Sequence, residues 1–166
     1  MKITFLSFSL LLIIVSGCNN SGNKISEMQA RIDSLQNKVN NAYVPGFGEF
    51  MSDIQVHHAK LWFAGINQNW DLADFEIKEI QELKDDIVKF ETDRVESKTI
   101  PMLQPALDSV AQTIKHKNLD DFKNSFVFLT NTCNECHRVV NYPFNDVKIP
   151  DTPPFTNQIF KPGMNK

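Results

Sequence analysis

The chain has 166 residues, 42% of them hydrophobic and 22% charged, with 6 glycines, 8 prolines and 3 cysteines. That balance is ordinary for a folded globular chain and excludes a wholly disordered, collagen-like or disulfide-stapled one; the length supports one domain with appendages, large enough to remove about two-thirds of its unfolded surface from water. Seventeen basic against twenty acidic residues give a net charge of −3, too little positive field to hold a polyphosphate, so nucleic acid is not an expected partner.

The first segment reads as an address. Lys2 precedes a mostly apolar stretch at residues 3–15, thirteen residues that include three Ser or Thr. This is shorter than the ~20 apolar residues that cross a hydrocarbon core, and it reads as a signal peptide. It ends in Val15, Ser16, Gly17 and Cys18, which resembles the lipobox of bacterial lipoproteins, where small residues admit the signal peptidase and the cysteine becomes the acylated mature N-terminus. On that reading residues 1–17 are removed and 149 residues with a net charge of −4 remain. Two or more acyl chains on Cys18 then hold the protein to a membrane of the bacterial cell envelope, facing the periplasm or the exterior.

After a polar spacer, Ile25, Met28, Ile32, Leu35, Val39 and Ala42 alternate steps of three and four, as an a/d seam does. Residues 18–46 are therefore expected to form anchor, spacer and helical stalk. At about 1.5 Å per residue the helix over 25–42 would lift the main domain some 27 Å from the membrane, and its seam offers a route to a homo-oligomer. Val44, Pro45, Gly46, Phe47 and Gly48 punctuate the chain as a turn.

Residues 47–141 read as four helices. Phe50, Ile54, His57, Leu61 and Ala64 have helical spacing and end near Asn67. A second helix runs from Trp70 to about Glu91 with its stripe through Leu72, Ile80, Leu83, Ile87 and Phe90, and with Asn69 as N-cap. Pro101 suits the first turn of a third, which carries Leu103, Leu107, Val110 and Ile114 and closes on Lys115, His116 and Lys117. The fourth opens at residues 118–121 and carries Phe122, Phe126, Leu129, Cys133, Cys136 and Val140 on one face. No strand pattern precedes residue 142, and short connections imply an all-α, antiparallel four-helix bundle. Residues 142–166 hold five of the eight prolines and cannot be helical, yet keep enough large apolar groups that most of this tail is expected to pack in extended form on the bundle.

The chemistry lies in Cys133, Asn134, Glu135, Cys136 and His137, a C-x-x-C-H run. This is the attachment pattern of haem c: two thiols on nearly one side of a helical turn meet the two vinyl groups, and the adjacent imidazole ligates iron. Two other readings compete with it. A redox dithiol normally opens a helix in a βαβ setting, where the helix dipole lowers the thiol pKa, whereas this pair comes near a helix end in a chain without strands. A zinc site needs a fourth ligand beside these three. One cysteine for lipid and two for haem account for all three, which leaves no loose thiol in an oxidising compartment. One motif means one covalent haem.

Four helices with C-N-E-C-H near the end of the last resemble the class II cytochromes c, the group of cytochrome c prime and its low-spin relatives, over about residues 47–141. That resemblance implies a four-helix fold around the haem and, in low-spin members, a methionine ligand near the start of the first helix.

The sixth iron ligand decides what such a haem does. A saturated iron moves single electrons, while an open position takes a small gas or peroxide. Candidates are Met51, His57, His58, Met102 and His116. In an antiparallel bundle His137 lies roughly 7 Å from its helix end, Met51 about 5 Å into the first helix, and His57 and His58 about 14 to 15 Å in, so Met51 is at the right level. Met51 could equally be core filler. His57 falls on the apolar stripe as a hydrogen-bonded core histidine, and His58 lies on the side of Met51, within reach of a propionate or iron. His116 is expected in solvent, and Arg138 could pair with a propionate or sit on the surface. No nucleophile, general base or phosphate loop appears, so the chain is not expected to be an enzyme in its own right. The expected function is single-electron exchange with a redox protein of the envelope. The alternatives are a five-coordinate haem protein that binds or senses NO, CO or peroxide, and a haem-free metal-binding lipoprotein.

Overall fold

The computed structural model describes residues 19–40 and 42–163. Residues 1–18, where a signal peptide and the acylated Cys18 are expected, lie outside the described residues. The chain divides into two compact units, one up to Val44 and one from Pro45 onward. The first holds α1, Asn19–Asn40. The second holds α2, Phe47–Ile66, α3, Trp70–Phe90, α4, Gln104–His116, and α5, Leu119–Val139. Two single turns of 3₁₀ helix, Glu96–Lys98 and Ile100–Leu103, lie between α3 and α4. No strand occurs among the described residues, and no helix there is long and apolar enough to cross a membrane.

Three of the helix ends share one device. After α2, Gln68 takes a left-handed φ of 57°, and the amides of Gln68 and Asn69 return to the carbonyls of Gly65 and Ala64, each at 2.9 Å. This is a Schellman closure built without glycine, so the αL strain of an L-residue is accepted for two satisfied carbonyls. Asn69 then turns its side chain to the Leu72 amide at 3.3 Å and caps α3. Lys117, at φ 54°, closes α4 in the same way, and Asn118 accepts from the amides of Asp120 and Asp121 at 3.1 and 3.2 Å to open α5. Asn141, at φ 65°, closes α5, with the Tyr142 amide donating to the His137 carbonyl at 2.7 Å.

Boundaries differ from the sequence expectation at three helices: α1 runs Asn19–Asn40 rather than over 25–42, so the residues expected as a polar spacer are already helical. α2 starts at Phe47 rather than Phe50, because Gly46 already holds the extended N-cap conformation (φ −77°, ψ 161°) and releases the chain into helix there. The third helix does not run unbroken from Pro101. Pro105 has no N–H to give the carbonyl of residue 101 and its ring crowds that carbonyl, so residues 100–103 wind as 3₁₀ and the α-helix begins at Gln104.

In the second unit α2 packs on α3, α3 on α4, α4 on α5, and α5 on α2. Along α2, His58 meets Thr130, Trp62 meets Phe126 and Gly65 meets Phe122. A Cβ at Gly65 would stand 2.0 Å from the Phe122 ring, so glycine sets the approach of the two helices here. Phe122 and Phe126 are fully buried, each ring contributing on the order of 1.5–3 kcal/mol from removal from water. Trp62 and Trp70 close over Phe122 at 6.3 and 6.1 Å between centroids. Charge is also enclosed on α3: Glu76 is fully buried, with Oε2 2.6 Å from His57 Nδ1 and Oε1 3.5 Å from Lys60 Nζ, and Lys84 is buried with Nζ 2.7 Å from Gln104 Oε1.

The tail is attached at points and does not pack along its length. Asn134 donates to the Val147 carbonyl at 2.7 Å and accepts from its amide at 2.8 Å. Phe160 is buried against Phe63, 5.7 Å between centroids. Phe144, ahead of the first pin, and Phe155 and Ile159, between the two, stay exposed. The expectation that most of the segment packs therefore holds for Val147, Ile149 and Phe160 and fails for these three, since each proline removes an amide that could have tied the extended chain down.

Candidate functional site

Where α2 and α5 meet nearest the start of α2 and the end of α5, they leave a cavity of about 380 Å³, within the range of small-molecule and cofactor sites. α2 supplies Phe47, Met51, Ile54 and His58; α5 supplies Cys133, Cys136 and His137. Ile100 and Leu103 form an apolar wall, Arg94 and Glu96 come from the connection after α3, and Tyr142, Asn145 and Val147 come from the tail.

The Cys-x-x-Cys-His run occupies the last turns of α5, so all three side chains reach one cavity wall. Burial pushes the Cys133 thiol up to about 12, with the nearby Cys136 adding to the shift. That is opposite to the lowered pKa of an activated redox dithiol. The Cys136 sulfur lies 3.0 Å from Thr99 Oγ1. Since the Thr99 hydroxyl donates to the Glu96 carbonyl at 2.7 Å, the thiol is the donor to Thr99.

His137 is held by its backbone and by its ring. Its Nδ1 lies 2.5 Å from the carbonyl oxygen of Asn145. A carbonyl only accepts, so Nδ1 carries a proton, and in the neutral tautomer this leaves the lone pair on Nε2. Metal-ligating histidines are ordinarily oriented in this way, with the second ring nitrogen donating to a carbonyl or carboxylate. The residues present therefore fit a haem c: two thiols, an oriented imidazole and a largely apolar recess converge.

Met51, at the level of Cys133 and His137, lines the same cavity, half-buried. His58 lies deeper. It is 4% exposed, its ring rests 4.5 Å from Phe126, and burial lowers its pKa to about 4. Its Nε2 is 2.9 Å from Thr130 Oγ1, and that hydroxyl donates to the Phe126 carbonyl at 2.9 Å. Nε2 is therefore the donor, and Nδ1 holds the lone pair of a neutral ring.

The remaining sequence candidates lie elsewhere. His57 turns to Glu76 and is not part of the cavity wall. Arg138 is exposed and forks onto Glu135 Oε2 at 3.0 and 2.8 Å. Met102 is half-buried away from the cavity, and His116 is exposed at the end of α4. In place of Arg138 the cavity wall holds Arg94, whose guanidinium lies 5.1 Å from the centre of the Phe47 ring and 3.1 Å from Glu96. Hydrogen bonding to Glu96 raises the Arg94 pKa, and the same bond lowers that of Glu96. Sequence reasoning missed Arg94, Tyr142 and Asn145; an arginine two residues before a glutamate reads as a surface pair, and only the approach of the connection to α5 makes it part of a site. Among the described residues no group of three or more His, Cys, Asp or Glu side chains is gathered as a metal ion would need.

No family model matches the chain, and neither the curated proteins nor the solved structures compared with it contain a match.

Proposed function

We propose that this chain is a lipid-anchored c-type cytochrome that carries one covalent haem and exchanges single electrons with a redox protein in the bacterial envelope. The observation that carries the reading is the set Cys133, Cys136 and His137 on one cavity wall, with His137 Nδ1 donating to the Asn145 carbonyl and Nε2 left to ligate. The up-down-up-down, antiparallel bundle of the class II cytochromes c is the arrangement these contacts support. As α2 advances through residues 58, 62 and 65, its partners on α5 recede through 130, 126 and 122.

In this reading Cys133 and Cys136 would hold the group through thioethers and His137 would ligate its iron. Met51, which lines the same cavity, would be its second protein ligand. Haem supplies one-electron chemistry when bound. Arg94 faces the cavity with a cation for a propionate, paired with Glu96 so that its position is set beforehand. Ile54, Ile100 and Leu103 keep water from the recess. Tyr142 and Phe144, 5.6 Å between centroids and both exposed, offer an apolar contact beside the cavity for the redox partner. Cys18 supplies the tether.

The test is a pyridine haemochrome spectrum and an intact mass of the protein matured in a host that attaches haem c. One haem per chain is expected, lost in the variant with both Cys133→Ala and Cys136→Ala; a chain without added haem mass overturns the proposal. Met51→Ala is expected to convert a low-spin ferrous spectrum to a high-spin one that binds CO. A parent protein that is already high-spin and binds CO would instead make this a five-coordinate gas-binding haem.

A further inference from the structure

The face of α1 that the bundle unit does not explain is its apolar seam. Ile25, Met28, Ile32, Leu35 and Val39 stand 54–69% exposed along one side of a 22-residue helix. A lone helix of this length is marginal in water, and five large apolar groups in a row are left wet unless something covers them. Two features of the seam select the cover. The a positions are Ile25, Ile32 and Val39, all β-branched, and the d positions are Met28 and Leu35. β-Branched residues at a with an unbranched or γ-branched residue at d favour two parallel strands, whereas Leu at a with Ile at d favours three or four.

The charges flanking the seam agree. The g positions are Lys24, Arg31 and Lys38, all basic, and the e positions Gln29 and Gln36 are neutral. In a parallel pair each g residue faces an e residue of the other helix, so Lys24 meets Gln29 and Arg31 meets Gln36. In an antiparallel pair g faces g, and basic side chains oppose one another along the contact. Arg31 is already satisfied within its own helix by Glu27 at 3.1 Å, and Gln29 by Asp33 at 2.8 Å. We propose that α1 pairs with α1 of a second copy of this chain as a parallel, in-register, two-stranded coiled coil. The proposal uses nothing from the haem reading.

Three single variants of the full chain in detergent, Met28→Cys, Leu35→Cys and Ala30→Cys, are oxidised under mild conditions and compared with the parent on a non-reducing gel. A parallel pair brings each seam residue against its own copy, so Met28→Cys and Leu35→Cys both give dimers at least about five-fold above Ala30→Cys, which lies on the outer face. An antiparallel pair can bring only one of the two seam positions face to face. Dimers at one seam position alone, at neither, or equally at all three overturn the proposal, as does a trimer mass for the parent by light scattering. The haem spectrum of the same samples separates a failed stalk from a failed cofactor reading.

Discussion

The same two helices meet in opposite ways at their two ends. Around Gly65, α2 and α5 are so close that a single Cβ would strike Phe122, and Trp62, Phe122 and Phe126 fill the contact ring against ring. Around Met51 and His137 the helices stand apart, and the space is walled by residues from the connection after α3 and from the tail. A helix pair is thus clamped at one end by a glycine facing a large ring, which lets the other end hold a recess open without loss of the core. His58 stands at the border, its ring on Phe126 and its edge on the cavity.

The largest effect expected from this contrast is at the clamped end. Phe122→Ala should cost ~3–5 kcal/mol in denaturant unfolding, while Met51→Ala, in the open wall, should cost ~1 kcal/mol or less. Equal costs would show that the cavity end is packed core. Next is acid sensitivity. The His58 pKa is lowered to about 4 from 6.5, so in the unfolded chain the ring takes a proton that the folded chain refuses. In the haem-free chain stability is therefore complete above about pH 6.5 and falls as pH drops toward 4, by up to ~3 kcal/mol. His58→Gln, which keeps a donor for Thr130, should flatten that slope; the same slope in the variant would mean that the ring is not desolvated. The smallest effect is at the tail. Asn134→Ala removes both bonds to Val147 and should loosen the cavity's outer wall by ~1–2 kcal/mol, seen as faster amide exchange at Val147 with the exchange of Phe126 unchanged.

The helices were legible where local chemistry decides them. Asn69 and Asn118 cap α3 and α5 as their positions suggest, and the stripe of α5 carries its buried phenylalanines. Pro105 carried a signal for the break before α4 that a helix read from Pro101 passes over, since proline at that spacing forbids the bond a continuous helix needs. In the site, the cysteine and histidine spacing was readable, and so was the level of Met51. Arg94, Tyr142 and Asn145 were not, because nothing local marks them; each enters the wall through packing of segments remote in sequence. The tail misled for the opposite reason. Phe155 and Ile159 are apolar enough to pack, but the proline-rich chain between the two pins does not bring them to the bundle.

What the amino acids determined alone were the short-range features: helix periods, caps, the heptad of α1, and three reactive side chains placed within two turns of α5. These follow from geometry that repeats every few residues. Tertiary structure decided which histidine faces the cavity and which turns to Glu76, and it supplied the Asn145 carbonyl that sets the tautomer of His137. Neighbouring histidines differ by only about 100° around a helix, and the direction that becomes interior is settled by what the other helices and the tail bring against it.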